Sequence, residues 1–457
     1  MIGGIRVESR KEFIQANWTI RRPASPVKVY IPLSFQQGPA AVPCVDAGSH
    51  VRIGQKIAEP SHPLSVAVHA SISGKVTTID SFPHPLKGEA EAIEIQGDGR
   101  NEKMPEIGEE RRGWESLSAE KLLDILQDSG IVELNVSMEP LHRKILKSRG
   151  SKVHTLILNG CESEPYVTSD FALMMSHPVE ILKGAEILRT LFHAERIVIA
   201  IQDNKLEAAE LLKSKVYFLK WGHTAVKVLP SLYPQGDEIP LIHALFGRKG
   251  KVFLSAEEAG VRIQNVATAF AIYEAVAWQK PLYERAVTVG GECVVKPQNV
   301  WIRIGTSFED AIKTCRGLLR EPRKVLMNGP MRGIAAANLH VPILPGTQAV
   351  LALPKEVVIP EEVEPCIRCN RCVDACPVEI SPVMISLAAE EDRLDIARSW
   401  GVEYCVECGN CSYVCPAKRP MTELIHYARS HIEQPKDYSF SSLPSPALSG
   451  VEALNRR

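Results

Sequence analysis

The sequence predicts a multidomain α/β chain in which a β-rich module, an α/β domain, a β-grasp module and a small cysteine-rich domain follow one another. Three observations predict it. Short apolar runs broken by turn residues fill residues 25–98. Strand-length apolar runs then alternate with helical periodicity. Eight of the twelve cysteines fall in two matched runs near the C-terminal end. A chain of 457 residues has room for about two to four such units.

Residues 1–24 read as an N-terminal segment. In 25–98, Gly38-Pro39, Ala47-Gly48, Gly54-Gln55 and Ser73-Gly74 punctuate the strands. The stretches from Asp46 to Ala58 and from Val68 to Val76 look like a lipoyl-type barrel-sandwich module. Carrier modules of that type modify a lysine at a hairpin tip. Ser61–His69 contains no lysine, so a structural module is expected. The charged stretch Gly99–Gly113 reads as a linker.

Residues 114–284 carry the α/β pattern. Helical Ala119–Asp128 precedes a buried-strand run, His154–Asn159. Helix Pro178–Phe192, strand Arg196–Ile201, helix Leu206–Lys215, strand Val226–Leu229 and helix Asn265–Trp278 follow. Such alternation implies a largely parallel sheet. In 285–345, a hairpin (Ala286–Gly291 and Asn299–Gly305) and a helix (Ser307–Leu319) open a β-grasp module. Proline-rich Pro342–Pro360 reads as a connector. Residues 356–433 hold the cysteine domain, and 434–457 read as a tail without periodicity.

The cysteine runs carry the chemistry. Cys366, Cys369, Cys372 and Cys376, then Pro377, follow C-x2-C-x2-C-x3-C-P; so do Cys405, Cys408, Cys411 and Cys415, then Pro416. Three thiolates two residues apart wrap three corners of a cubane, and the fourth ligates the other cluster. The expected ligand sets are therefore crossed. Cys366, Cys369, Cys372 and Cys415 hold one [4Fe-4S] cluster; Cys405, Cys408, Cys411 and Cys376 hold the other. Single C-x2-C pairs also build zinc sites, but two complete runs with both prolines do not read that way. Helical Pro382–Ser399 would bring the second loop beside the first. The remaining Cys44, Cys161, Cys293 and Cys315 are expected to be buried thiols without a chemical role.

Composition excludes other classes. A formal net charge of -1 does not suit a nucleic-acid binder. No apolar run is long enough to span a membrane, and the first ten residues lack the core of a signal peptide. The chain is expected in the cytoplasm, at most peripheral at the inner face of the cell membrane through a partner. No Ser-His-Asp, H-E-x-x-H or P-loop pattern stands out.

Several stretches together resemble RnfC, the electron-accepting component of the Rnf electron-transport complex, and its RnfC-like family. They are Val68–Gly74, Asn159–Tyr166, Tyr233–Glu238, Gln264–Ala275, Pro281–Arg285 and Asn328–Gly333. The resemblance runs from about Pro26 to Pro420. It implies a complex I flavoprotein-like α/β domain, an SLBB-like β-grasp module and a ferredoxin-like 2[4Fe-4S] domain. It also implies other redox subunits as partners. In that fold FMN takes hydride from NADH and passes single electrons to the clusters. By resemblance Asn159, Glu162, Glu164 and Tyr166, with Lys144, fall on the flavin- and nicotinamide-facing segment.

One stretch departs from the family. Its glycine-rich loop G-I-V-G-L-G-G-A-G-F-P-T-H-x-K is here Gly130-Ile-Val-Glu-Leu-Asn-Val-Ser-Met-Glu-Pro-Leu-His-Arg-Lys144. Glu133, Asn135, Val136 and Met138 replace glycines that let backbone N–H groups approach phosphate. Val136 disfavours positive φ and adds bulk. Glu133 and Glu139 add negative charge. One such charge about 4 Å from a phosphate costs on the order of 4 kcal/mol at an effective dielectric near 20. The expectation is an electron relay through two [4Fe-4S] clusters without FMN of its own. Glu162 and Glu164 would then cap or bridge internal helix termini. The alternative is an FMN-dependent NADH-oxidising subunit, of an Rnf complex or of a soluble cobalamin or methylenetetrahydrofolate reductase assembly.

Overall fold

The computed structural model describes residues 4–15, 18–35, 39–63, 65–247, 255–358 and 362–432. The tail 434–457 lies outside them.

Residues 28–97 form two antiparallel sheets. One orders its strands Lys28–Pro32, Gly88–Gly97, Gly74–His84 and His50–Val51; the other orders Val42–Pro43, Lys56–Glu59 and Val68–His69. Alternating residues Val29, Ile31, Ile93 and Ile95 meet Ile57 and Val76 in the core between them. Lys28–Pro32 pairs residue by residue with Ala92–Gln96, which keeps the apolar set on one face. This is the barrel-sandwich architecture expected. Cys44 departs from expectation: it is exposed, because it follows the edge strand Val42–Pro43 outside the core.

The α/β region carries a four-stranded, wholly parallel sheet in the order Thr224–Leu229, Arg196–Gln202, Thr155–Gly160, Val261–Asn265. The sequence pattern does not announce strand Val261–Asn265, because Arg262 and Gln264 interrupt its apolar run. Helices Ala119–Asp128, Pro178–Leu191, Leu206–Phe218 and Val266–Ala277 pack around the sheet. Ser118 caps the first by accepting from Lys121 N–H at 3.3 Å. Asn265 caps the last, accepting from Ala267 N–H at 2.6 Å.

Helices Pro178–Leu191 and Val266–Ala277 approach through Gly184. A Cβ there would fall on the Ala269 carbonyl, well inside van der Waals contact. Alanine is the better helix former by about 1 kcal/mol in open helix. Here overpacking wins. Gly184→Ala is expected to lower stability by about 3 kcal/mol, read as a lower urea midpoint at unchanged slope.

The β-grasp hairpin is Glu284–Gly290 against Gln298–Arg303, followed by helix Phe308–Thr314. Ser307 caps that helix in a box with Asp310: the Asp310 N–H donates at 3.0 Å and the hydroxyl returns a bond at 2.9 Å. The connector expected at Pro342–Pro360, and the end of the module at 345, differ from the structure. Ala349–Leu353 is a fully buried strand of this sheet, parallel to Glu284–Gly290 and antiparallel to Lys324–Met327. Flanking prolines disguised a five-residue apolar run, AVLAL. Residues 1–24 are not a separate segment either. Ile20–Arg21 adds to the same sheet, parallel to Gln298–Arg303.

In the cysteine domain, the helix expected over Pro382–Ser399 is two helices, Pro382–Glu390 and Leu394–Ser399. Asp392 between them adopts φ 53°, which ends the first helix. The return still brings the two cysteine loops together in one core, where Cys372, Cys376, Cys411 and Cys415 pack with Ile385 and Ile425.

Candidate functional site

The two cysteine loops repeat one conformation. Arg368 and Asn370 take φ 55° and 59°; the matched Glu407 and Gly409 take 51° and 82°. This pair of left-handed residues coils each loop so that backbone N–H groups face inward. Arg368 N–H meets Cys366 Sγ at 3.4 Å, and Glu407 N–H meets Cys405 Sγ at 3.4 Å. Beyond each proline, Glu379 and Lys418 repeat the same left-handed turn.

Each loop surrounds a cavity. Cys366, Cys369, Cys372 and Cys415 line one of about 370 Å³. Cys376, Cys405, Cys408 and Cys411 line a second of about 330 Å³. Four soft thiol donors around one space suit an iron–sulfur cluster. Burial pushes the Cys372 thiol up to about 11 and the Cys405 thiol up to about 12. Both are therefore protonated at neutral pH until a metal displaces the protons, so assembly releases protons.

A second candidate region lies at the carboxyl ends of the parallel strands, where ligands bind in open α/β sheets. Strand Thr155–Gly160 ends there, and the chain turns through Glu162 (φ 42°) and Tyr166 (φ 66°) into helix Ser169–Ser176. The side chains on this turn bind the protein itself. Asn159 Nδ2 donates to Gly236 O at 2.8 Å, and its Oδ1 accepts from Cys161 N–H. Glu162 accepts from the N–H groups of Asp170 (2.6 Å) and Phe171 (3.3 Å), capping the helix. Glu164 accepts from Met331 N–H and from the Tyr233 hydroxyl, both at 3.1 Å. Tyr166 donates its hydroxyl to Glu292 at 2.6 Å. Burial pushes both Glu162 and Glu164 up to about 7.

The N-terminal residues lie across the same region. Ile5 exchanges two backbone hydrogen bonds with Tyr233, at 2.9 and 2.8 Å. Ser9 O accepts from Tyr166 N–H. Lys11 is 2% exposed and donates to Glu162 O at 2.5 Å; Lys205 is 1% exposed and donates to Cys161 O at 2.7 Å. Neither lysine carries a sequence signal, because a polar residue outside any motif reads as surface.

The family models partition the chain in the same order. Residues 1–100 match the RnfC barrel sandwich hybrid domain, 126–274 the Nuo51 FMN-binding domain, 286–335 the SLBB domain, and 359–416 the 4Fe-4S dicluster domain. Over 431 residues the chain is 38% identical to the C component of the proton-translocating ferredoxin:NAD(+) oxidoreductase complex of Clostridium ljungdahlii, covering 94% of this chain and 93% of that one. The chain belongs to the RnfC family. Other members that it resembles are the corresponding components of the Na(+)-translocating complex of Acetobacterium woodii and of the ion-translocating complex of Rhodobacter capsulatus. The first is 35% identical over 94% of this chain and 96% of its own length. The second is 33% identical over 94% and 83%.

Within this RnfC family member, the altered loop has its own internal chemistry. Glu133 is buried and ion-paired with Lys144, whose ammonium also reaches Ile263 O at 3.2 Å. Gln264 and Ser137 complete the carboxylate's shell at 3.3 and 2.8 Å. Glu139 pairs with Lys147 at 2.8 Å. The expected unpaired negative charge is thus replaced by ion pairs, because the loop sits beside its own lysines. Nor does Val136 fill the approach: it points out, 43% exposed, and the positive φ of 44° falls on Met138. Buried Leu134 and Met138 fill the inside, and a Cβ on Gly346 would come within 2.8 Å of Met138 Cγ. With Lys144 and the acidic turn engaged internally and the loop glycines gone, the residues present do not fit FMN.

Proposed function

We propose that this chain relays electrons within an Rnf-type oxidoreductase complex through two [4Fe-4S] clusters, without a flavin of its own. The observation that carries the reading is the pair of four-thiol cavities, each completed by the last cysteine of the other run. On this reading Cys366, Cys369, Cys372 and Cys415 hold one cluster, and Cys405, Cys408, Cys411 and Cys376 hold the other. A [4Fe-4S] cluster supplies one-electron storage when bound. The protein's own part is to hold it, to aim backbone N–H groups at its sulfurs and to keep it close to its twin.

The relatives named above are components of ferredoxin:NAD(+) oxidoreductases, which supports other redox subunits as partners. Among the described residues no helix is long and apolar enough to cross a membrane. Attachment at the inner face of the cell membrane would therefore come through a partner.

The second reading, an NADH-oxidising flavoprotein, is favoured by the match of residues 126–274 to the FMN-binding domain. Cofactor content separates the two. Anaerobically purified protein is expected to hold about eight irons per chain and no acid-extractable flavin. Stoichiometric flavin, or NADH-driven reduction of a dye by the isolated chain, would overturn the relay and establish the second reading.

A further inference from the structure

The two cysteine loops share spacing, left-handed turns and N–H···S geometry, so differences between them isolate what their surroundings do. Between first and third cysteine, one reads Cys-Ile-Arg-Cys-Asn-Arg-Cys and the other Cys-Val-Glu-Cys-Gly-Asn-Cys. Arg368 thus stands opposite Glu407, and Arg371 opposite Asn410. Counting through the fourth cysteine, two arginines and Asp374 leave a formal +1 on the first run; Glu407 leaves −1 on the second. Arg368 and Arg371 both line the first cavity, both are exposed, and among the described residues neither forms an ion pair. Glu407 lines the second cavity.

Solvent access differs in the same direction. In the first loop Cys369 is exposed and Ile367 is 67% exposed. The second loop is pressed against the rest of the protein. A Cβ on Gly409 would come within 2.8 Å of Met331 O. Arg332 donates to Val406 O at 2.9 Å, and Asn410 donates to Tyr233 O at 3.3 Å. Cys408 is buried.

Reducing a thiolate-ligated cluster adds negative charge. Nearby cations and water favour that charge; a nearby carboxylate and burial oppose it. The exposed arginines are partly screened, but solvent access has the same sign. Both differences therefore place the higher reduction potential at the first loop, and electrons run downhill from the Cys405 side to the Cys366 side.

Building on the cluster ligation proposed above, we propose that the Cys366–Cys372 loop is the outlet of this chain, with the higher potential of the two. Its exposed rim of Ile367, Arg368 and Arg371 docks a redox protein with an acidic surface. The apolar tip flanked by two unpaired cations supplies the charge complementarity that steers such a partner.

The test exchanges the charges. Arg368→Glu with Arg371→Asn gives the first loop the second loop's residues and leaves every cysteine in place. In EPR-monitored redox titrations of the anaerobic holo-protein, wild type is expected to show two separated midpoints. In the double variant the upper midpoint should move down while the lower stays. Docking is read from electron transfer to two protein acceptors, acidic flavodoxin and basic cytochrome c. Their rate ratio cancels any common change in driving force. The ratio of flavodoxin to cytochrome c rates is expected to fall roughly tenfold or more in the variant at low salt. A chain holding only one cluster overturns the ligand assignment and this proposal with it. Full iron with the lower midpoint moving, or with no midpoint moving, overturns the proposal alone; so does an unchanged rate ratio.

Discussion

Removing Cys376 and Cys405 together should cost this protein one cluster, not two. If the fourth cysteine of each run serves the other run's cavity, Cys376 and Cys405 belong to a single ligand set. Cys376→Ala/Cys405→Ala is then expected to retain about four irons per chain. Cys372→Ala/Cys376→Ala, two substitutions within one run, should strip both clusters. Uncrossed ligation predicts the reverse pattern. Iron analysis of the two double variants, with EPR of the dithionite-reduced protein, decides between them. The physical basis is reach. The loop coils around three corners through its left-handed turns at Arg368 and Asn370, or at Glu407 and Gly409. The helical turn that follows, Arg371–Asp374 or Asn410–Tyr413, carries the fourth thiol to the opposite cavity.

The second large effect is expected far from the cysteines, at Glu284. Its carboxylate is 2% exposed and meets Arg22 at 2.6 Å, Lys280 at 2.9 Å and Arg303 at 2.9 Å. These cations come from the N-terminal stretch, the end of the α/β region and the β-grasp hairpin. Lys280 also pairs with Glu274 at 2.6 Å. Glu284→Gln leaves buried cations short of a counter-charge, which typically costs about 3–5 kcal/mol. That is a large fraction of a typical stability of about 5–15 kcal/mol.

The same residue predicts a pH signature. Burial acts to raise Glu284, but Lys280, Arg303 and Arg22 outweigh it and hold the carboxyl down at about 2, against an ordinary 4.5. A depressed carboxyl stabilises the fold above its unfolded value and stops doing so as pH falls through its folded value. The contribution, on the order of 3 kcal/mol, should therefore be present above about pH 4.5 and fade toward pH 2. Glu162 and Glu164, raised by burial, act with the opposite sign. The difference between wild-type and Glu284→Gln urea midpoints across that window isolates Glu284. A pH-independent difference would count against the ion network.

The sequence by itself determined the order of modules, the eight ligand cysteines and the loss of the glycine loop. Each is written locally. Ligand spacing sets a loop's curvature, strand–helix alternation marks a parallel sheet, and missing glycines remove positive φ and close approach. Tertiary structure decided the rest. Strand Ala349–Leu353 and the two-residue strand Ile20–Arg21 exist only through pairing with distant partners. Lys11 and Lys205 read as surface residues, yet their ammonium groups are buried on carbonyls from Cys161 and Glu162. Glu133 reads as an unpaired charge until folding sets Lys144 against it. Most of all, the sequence holds two near-identical cysteine runs. Only the fold, by pressing one loop against Met331 and Tyr233 and leaving the other in water, makes their electrostatic surroundings unequal.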